Sequence, residues 1–116
     1  GISPDFISEF EDIFDCDNNV MVDTMAERKT LLRKDTSAVV ALPGGIGTLD
    51  ELMETFALVH LKQYDGRIFV LNHEGFYEPL RNLLEHYVKT GMLSQETMNK
   101  IGFADTPQQL LEMLNA

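Results

Sequence analysis

A glycine-rich segment at residues 43–48 has the residue types that bind phosphate groups. Its sequence is Pro-Gly-Gly-Ile-Gly-Thr, and it lies between an apolar run that predicts a strand and a stretch with helical periodicity. Glycines let a backbone approach a ligand closely, and the N-terminus of a helix offers N–H groups to an anion. This segment, called the glycine loop below, therefore indicates a phosphate site. The alternative is a tight strand-to-helix turn that needs its glycines for geometry alone.

The spacing of the glycines differs from two common nucleotide-binding motifs. The P-loop of an ATPase requires a lysine directly after its last glycine, and no lysine follows the last glycine here. The pattern also differs from the Gly-x-Gly-x-x-Gly motif of dinucleotide-binding proteins. The sequence therefore disfavours an ATPase and a dinucleotide-dependent dehydrogenase.

Three charged residues lie one turn into helices that are predicted to follow strands. Glu51 is in the helix after the glycine loop, and Arg28 and Lys29 are in an earlier helix. Two cations near a helix N-terminus oppose the helix dipole, and a bound anion would account for them. Each has a plainer alternative, because Glu51 fits a capping box that starts at Thr48 and the two cations fit a solvated helix face.

The histidines and the acidic residues near the N-terminus do not form a recognisable metal-binding motif. His60, His73 and His86 lack partners at metal-ligand spacing, and a structural role is the better interpretation. Asp15 and Asp17 resemble the start of a calcium loop, but the glycine at the sixth position and the glutamate at the twelfth are missing. We expect neither a metal ion nor an organic cofactor.

Predicted strands and helices alternate along the chain. The strands are short apolar runs without polar alternation, which is typical of strands buried on both faces of a sheet. They are expected at residues 20–22, 38–42, 67–71 and 101–104. This alternation predicts an α/β fold with a parallel sheet between layers of helices.

The predicted helices begin at recognisable start signals. Capping boxes open helices at Thr24 and Thr48, and the first of these helices should run to about Lys34. A long helix is expected after Gly75 and a short one after Ser94. The last helix is expected to begin after Thr106, with the next residue, a proline, in its first position.

Composition limits the class of protein. The 116 residues carry 9 Lys+Arg and 19 Asp+Glu, a net charge of −10, and 44% of them are hydrophobic. These values fit a single domain over residues 1–116, and the acidic balance argues against a nucleic-acid partner. The apolar runs are too short to span a membrane. Cys16 is the one cysteine, so no internal disulfide can form and we expect a cytoplasmic location.

Two motifs together resemble the signature of the Lonely Guy family, phosphoribohydrolases long mislabelled as lysine decarboxylases. The family pattern Pro-Gly-Gly-x-Gly-Thr-x-x-Glu matches residues 43–51, and Met-x-x-Arg-Lys matches residues 25–29. The order and separation of the motifs also match. The resemblance continues through Asn72, residues 75–77 and Leu80, and so covers most of the chain.

The resemblance implies a Rossmann-like, three-layer subunit that dimerises and acts as a hydrolase. Such an enzyme cleaves the N-glycosidic bond of a nucleoside 5′-monophosphate, such as AMP or a cytokinin riboside monophosphate, to free base and ribose 5-phosphate. The family roles fall on three groups of residues. They are phosphate binding by Gly44, Gly45, Gly47 and Thr48, catalysis by Arg28 and Glu51, and substrate binding by Met25 and Lys29.

The chain also departs from the family pattern. The family's first strands and early glycine/serine nucleotide loop are not among these residues, so we expect the C-terminal part of a Rossmann-like domain without one half of the substrate site. Ala26 stands where members often carry histidine, and residues 58–60 read Leu-Val-His instead of Trp-Ala-Gln. The resemblance therefore does not fix the preferred base or the dimer contacts.

Two other functions compete with the hydrolase. A non-catalytic nucleotide- or cofactor-binding carrier would need the glycine loop but not Arg28 and Glu51, so the presence of both favours the enzyme. A lysine decarboxylase would hold pyridoxal phosphate on a Schiff-base lysine, and nothing in the sequence marks such a lysine.

The helix predicted from Leu49 to Leu61 is apolar nearly all round. One expected stripe consists of Leu49, Met53, Phe56 and His60, whereas Leu58 and Leu61 point away from it. A monomer would leave one set in water, so we expect a homodimer or higher homo-oligomer with this helix in or beside the interface.

Overall fold

The computed structural model describes Val20–Val22, Leu31–Lys34 and residues 38–116. Its strands are β1 (Val20–Val22), β2 (Leu31–Lys34), β3 (Ala38–Ala41), β4 (Arg67–Leu71) and β5 (Ile101–Ala104). Its helices are α1 (Ile46–His60), α2 (Glu78–Lys89), α3 (Gln95–Met98) and α4 (Pro107–Leu114), with a 3₁₀ turn at His73–Gly75 before α2. None of the helices in these described ranges has the length and apolar character needed to cross a membrane.

One sheet joins the five strands in the order β1-β2-β3-β4-β5. Strands β3, β4 and β5 run parallel, with Ala41 opposite Val70 and Leu71 opposite Ala104. The connection from β3 to β4 contains α1, and the connection from β4 to β5 contains α2 and α3, as parallel neighbours require. This part confirms the predicted α/β fold with a parallel sheet.

Helices cover both faces of the parallel strands. Alternate side chains of β4 enter different clusters, because successive residues of a strand point to opposite faces. Phe69 and Leu71 pack with Leu110 of α4, whereas Ile68 and Val70 pack with residues of α1 and α2. The arrangement has three layers, as expected. Burial on both faces of the sheet, expected for these strands, is confirmed at five positions, namely Val39, Val40, Ile68, Val70 and Leu71.

The prediction that the first helix reaches about Lys34 is wrong for its last residues. Leu31–Lys34 form strand β2, which pairs antiparallel with β3 and with β1. The sheet is therefore mixed and not wholly parallel. Pairing with β2 supplies backbone partners along the edge of β3, and this non-local bonding outweighs local helix propensity. The capping box at Thr24 lies outside the described residues.

The buried stripe of α1 differs from the predicted one. Leu52, Phe56 and Val59 face the sheet, and this i, i+4, i+7 spacing is one face of a helix. Leu49 and Met53 are half-buried at the side of the stripe, and His60 is exposed. The predicted face was thus rotated from the true one, because an almost wholly apolar helix carries little periodic signal.

Candidate functional site

The carboxyl ends of the three parallel strands meet at one edge of the sheet. The glycine loop follows β3, Asn72 follows β4, and Asp105 follows β5. Open parallel sheets bind ligands at this edge. The topology therefore brings the predicted phosphate-binding segment to the place where a ligand site is expected.

The glycine loop leads directly into the N-terminus of α1. The helix begins at Ile46 with Gly45 as its N-cap, and the first intrahelical bond joins the Leu49 N–H to the Gly45 carbonyl oxygen at 3.2 Å. The N–H groups of residues 46–48 precede that bond and are directed along the helix axis towards the loop. A loop that leads into a helix N-terminus in this way is typical of anion-binding sites, because the helix dipole favours negative charge there.

The predicted capping box at Thr48 is wrong. Thr48 is the third residue of α1, two positions after its start, and its side chain is fully buried. No side chain caps this helix, since its N-cap is a glycine. Glu51 therefore does not occupy the third helical position that a capping box requires, and the capping interpretation of this carboxylate does not apply.

Gly45 has no structural need to be glycine. Its φ of −89° and ψ of −163° are extended values that any residue adopts. An ideal Cβ at this position meets no atom within 4 Å, and the residue is exposed. The alternative in which the loop needs glycine for geometry alone therefore fails at Gly45, which leaves the space beside the helix N-terminus open.

Glu51 lies about one turn after the glycine loop along α1. It is three residues after Thr48 and four after Gly47, and such residues are neighbours along a helix surface. The Glu51 side chain is half-buried, and the Cα–Cβ bonds of a helix tilt towards its N-terminus, which is the end of α1 that adjoins the loop.

A hydrogen-bond network stands beside the loop, and sequence reasoning assigned no role to its members. The Asn72 Oδ1 accepts from the Tyr77 N–H at 2.7 Å, and its Nδ2 donates to the Glu78 Oε1 at 2.9 Å. The Tyr77 hydroxyl donates to the Leu42 carbonyl oxygen at 2.8 Å. An asparagine directly after a buried strand was the available signal, because buried amides need several partners.

Tyr77 is buried among apolar residues of α1, α2 and the sheet. Burial raises the pKa of its hydroxyl from 10.0 to about 12, because the apolar surroundings disfavour the phenolate. The hydroxyl is therefore protonated at neutral pH and acts as a hydrogen-bond donor to Leu42.

The histidines do not converge. His60 and His86 are exposed, and the His73 Nε2 lies 3.1 Å from the Glu74 Oε1. In the described part of the chain, no group of three or more His, Cys, Asp or Glu residues is placed to hold a metal ion.

Arg28, Met25 and Lys29 lie outside the described residues. The segment that contains them joins β2 at Leu31, and Leu31 is opposite Ala41 at the end of β3 from which the glycine loop departs. Leu31, the first residue of β2, therefore lies at the same edge of the sheet as the loop.

The chain matches one family model and several curated relatives. A family model described as "Possible lysine decarboxylase" matches residues 1–114. A probable cytokinin riboside 5′-monophosphate phosphoribohydrolase of Oryza sativa subsp. japonica is 37% identical over 93 residues, which are 80% of this chain and 38% of that protein.

Two further relatives carry the same name. The cytokinin riboside 5′-monophosphate phosphoribohydrolase of Mycobacterium marinum is 35% identical over 98 residues, 84% of this chain and 52% of its own length. An enzyme of that name from Arabidopsis thaliana is 34% identical over 90 residues, 78% of this chain and 42% of its own length. The chain thus spans between 38% and 52% of the length of these three relatives.

Proposed function

Because the chain belongs to the possible lysine decarboxylase (Lonely Guy) family, we propose that the protein containing it is a phosphoribohydrolase. It hydrolyses the N-glycosidic bond of a nucleoside 5′-monophosphate, such as AMP or a cytokinin riboside monophosphate. The single observation that carries this proposal is the open glycine position at Gly45 beside the N-terminus of α1. The names of the relatives support the choice of reaction and substrate.

The glycine loop binds the 5′-phosphate in this proposal. The N–H groups of Gly45, Gly47 and Thr48, with that of Ile46 between them, donate to the phosphate oxygens, and the dipole of α1 adds to the attraction. Gly44 precedes them and completes the loop. Because a Cβ at Gly45 would project into open space, the absence of a side chain there leaves room for the phosphate.

Glu51 acts on the ribose in this proposal. Cleavage of the bond between C1′ and the base nitrogen leaves an oxocarbenium-like sugar, and the base departs with the bonding electrons and takes up a proton. Water then adds its oxygen to C1′ and loses a proton, which gives ribose 5-phosphate. A carboxylate one turn from the phosphate site can stabilise the positive charge and align the water.

Arg28 is the second catalytic residue of the proposal, and Met25 and Lys29 contact the substrate. Arg28 precedes Leu31 by three residues, so covalent geometry limits the separation of their Cα atoms to about 11 Å. Since Leu31 is opposite Ala41, the chain length permits Arg28 to reach the glycine loop. A guanidinium there would bind the substrate by charge-assisted hydrogen bonds.

Release of free base from AMP and from a cytokinin riboside monophosphate tests the proposal. The protein containing this chain is expected to release base, and Glu51→Gln should lower kcat by about 10²-fold or more while phosphate binding persists. Glu54→Gln is the matched control, because Glu54 is an exposed glutamate of the same helix. Base release at the wild-type rate by Glu51→Gln would remove Glu51 from the mechanism.

The same experiment separates the enzyme from a carrier protein. Tight nucleotide binding without base release by the wild-type protein would identify a nucleotide- or cofactor-binding carrier. A lysine decarboxylase would instead show the absorbance of pyridoxal phosphate on a lysine. That chromophore in the purified protein would contradict the hydrolase.

We also propose a cytoplasmic homodimer in which α1 lies at or beside the interface. Leu58 and Leu61 keep 36% and 59% of their surface exposed, and Ile46 at the start of the same helix keeps 81%. An isologous contact would cover this apolar surface on both subunits. The cytoplasmic location rests on Cys16 being the one cysteine of the sequence.

A further inference from the structure

The Tyr77 hydroxyl connects the turn after β4 to the residue that precedes the glycine loop. Its 2.8 Å hydrogen bond reaches the Leu42 carbonyl oxygen across 35 positions of sequence. We propose that Tyr77 is a positioning residue, whose hydroxyl holds the Leu42–Pro43 peptide so that the glycine loop is arranged for a 5′-phosphate. This inference rests on the proposed function, because it concerns the phosphate site of that enzyme.

A bond to the Leu42 carbonyl restrains more than one atom. The peptide between Leu42 and Pro43 is planar, so fixing its oxygen fixes the orientation of the whole unit. The proline ring then sets its own φ near −65°, and the residue before a proline is restricted as well. Pro43 is buried. The backbone is therefore restrained through the Cα of Pro43, next to Gly44.

The loop has a second fixed point at its other end. Thr48 is fully buried in the first turn of α1, while Gly45 and Ile46 between the two fixed points are exposed. Glycine adds conformational freedom to this exposed stretch. The positions of its N–H groups therefore depend on the anchors, and the Tyr77 hydroxyl belongs to the first of them.

Tyr77 is itself held from several directions. Its N–H donates to the Asn72 Oδ1, and Asn72 is oriented by the hydrogen bond that its Nδ2 donates to the Glu78 Oε1. The Asn72 backbone N–H donates to the Ala104 carbonyl oxygen at 2.6 Å. The Phe76 and Tyr77 rings meet edge to face, with their centroids 4.9 Å apart. Because the ring is restrained in this way, its hydroxyl holds the Leu42 carbonyl oxygen in a defined position.

Tyr77→Phe tests the hydroxyl because it retains the ring and its packing. In the protein containing this chain, the affinity for inorganic phosphate, measured by calorimetry, is expected to fall by about tenfold, near the upper range for one lost hydrogen bond. The KM for AMP should rise by a similar factor, with a smaller change in kcat. The affinity for adenosine, which lacks the phosphate, should stay unchanged. Tyr87→Phe, which removes an exposed hydroxyl from α2, is the matched control and should behave as the wild type.

The outcomes distinguish this inference from the proposed function. Equal phosphate affinity in wild type and Tyr77→Phe overturns the positioning role, and so does an equal loss of adenosine affinity, which would indicate a general effect on the fold. Phosphate binding by the wild type without base release rejects the enzyme, and the phosphate affinities then still decide the role of Tyr77.

If Tyr77→Phe does not fold, Glu78→Ala serves in its place, because Glu78 is exposed and orients Asn72. It should weaken phosphate binding by roughly twofold, and unchanged affinity would overturn the inference.

Discussion

Gly45 and Gly91 are glycines for different physical reasons, and exchanging each for alanine separates ligand binding from stability. Gly45 has extended backbone angles and open space around it. We expect Gly45→Ala to change the free energy of unfolding by less than about 0.5 kcal/mol, because alanine restricts the unfolded chain but is a poorer N-cap than glycine. The added methyl group occupies the proposed phosphate site, so the affinity for inorganic phosphate should fall by about tenfold or more. Urea unfolding and calorimetry measure the two effects.

Gly91→Ala is expected to affect stability and not phosphate binding. Gly91 follows α2 with a φ of +84°, in the left-handed region that favours glycine. An alanine there should lower the free energy of unfolding by about 1–2 kcal/mol and leave phosphate binding unchanged. Phosphate affinity retained by Gly45→Ala would argue against the site at the N-terminus of α1.

Tyr77 also predicts a dependence of stability on alkaline pH. The folded protein raises the pKa of this hydroxyl from 10.0 to about 12, whereas the unfolded chain keeps the ordinary value. The stabilisation is therefore present in full below pH 10 and is lost as the pH rises towards about 12, because the unfolded state loses the proton first. The free energy of unfolding of the wild type minus that of Tyr77→Phe should decline across this window. A flat difference, with Tyr87→Phe as the control for a lost tyrosine, would contradict it.

Elements with local signals could be predicted from the sequence. Strands β4 and β5 have the predicted limits, and Thr106 accepts a hydrogen bond from the Gln109 N–H at the start of α4, with Pro107 in the first position. Ser94 caps α3 in the same manner. These features depend on residues within a few positions of each other, which is the range in which capping and periodicity act.

Elements that depend on distant partners could not be predicted in the same way. Strand β2 exists through pairing with β3 and β1, and no local feature of Leu31–Lys34 distinguishes it from a helix end. Helix α1 starts at Ile46, before the predicted start at Thr48, because Thr48 is a buried residue of the first turn and not its cap. In both cases tertiary structure determines the outcome.

The layer formed by α4 depends on few side chains. Leu110 is fully buried against Phe69 and Leu71 of the sheet, and it is the residue of α4 at the centre of that cluster. We expect Leu110→Ala to lower the free energy of unfolding by about 3 kcal/mol, since a large buried side chain leaves a cavity. Leu83→Ala on the half-exposed face of α2 is the control and should cost less than about 1 kcal/mol. Equal losses in urea unfolding would show that α4 does not cover the sheet as described.

The sequence predicts a candidate phosphate site but not the hydrogen bond that the structure places beside it. The glycine loop and Glu51 could be predicted as site residues because their residue types and spacing indicate chemistry by themselves. The bond from Tyr77 to Leu42 could not, since it joins residues 35 positions apart whose proximity follows from the order of strands in the sheet. The fold thus places a hydrogen bond beside the predicted loop that no sequence motif indicates.

The exposed face of α1 predicts the behaviour of the whole molecule in solution. Leu58 and Leu61 lie on the side of the helix away from the sheet, and charges there would oppose a contact between two copies. By light scattering and sedimentation at micromolar concentration, the protein containing this chain should have at least twice the mass of its polypeptide. The double variant Leu58→Lys, Leu61→Lys should have the mass of one polypeptide.

Leu83→Lys, on the half-exposed face of α2, is the control for an unspecific loss of apolar surface, and this variant should keep the mass of the wild type. A monomeric wild type would contradict the dimer. Large, ill-defined aggregates that persist in the double variant would instead indicate association through the edge strands of the described sheet, β1 and β5.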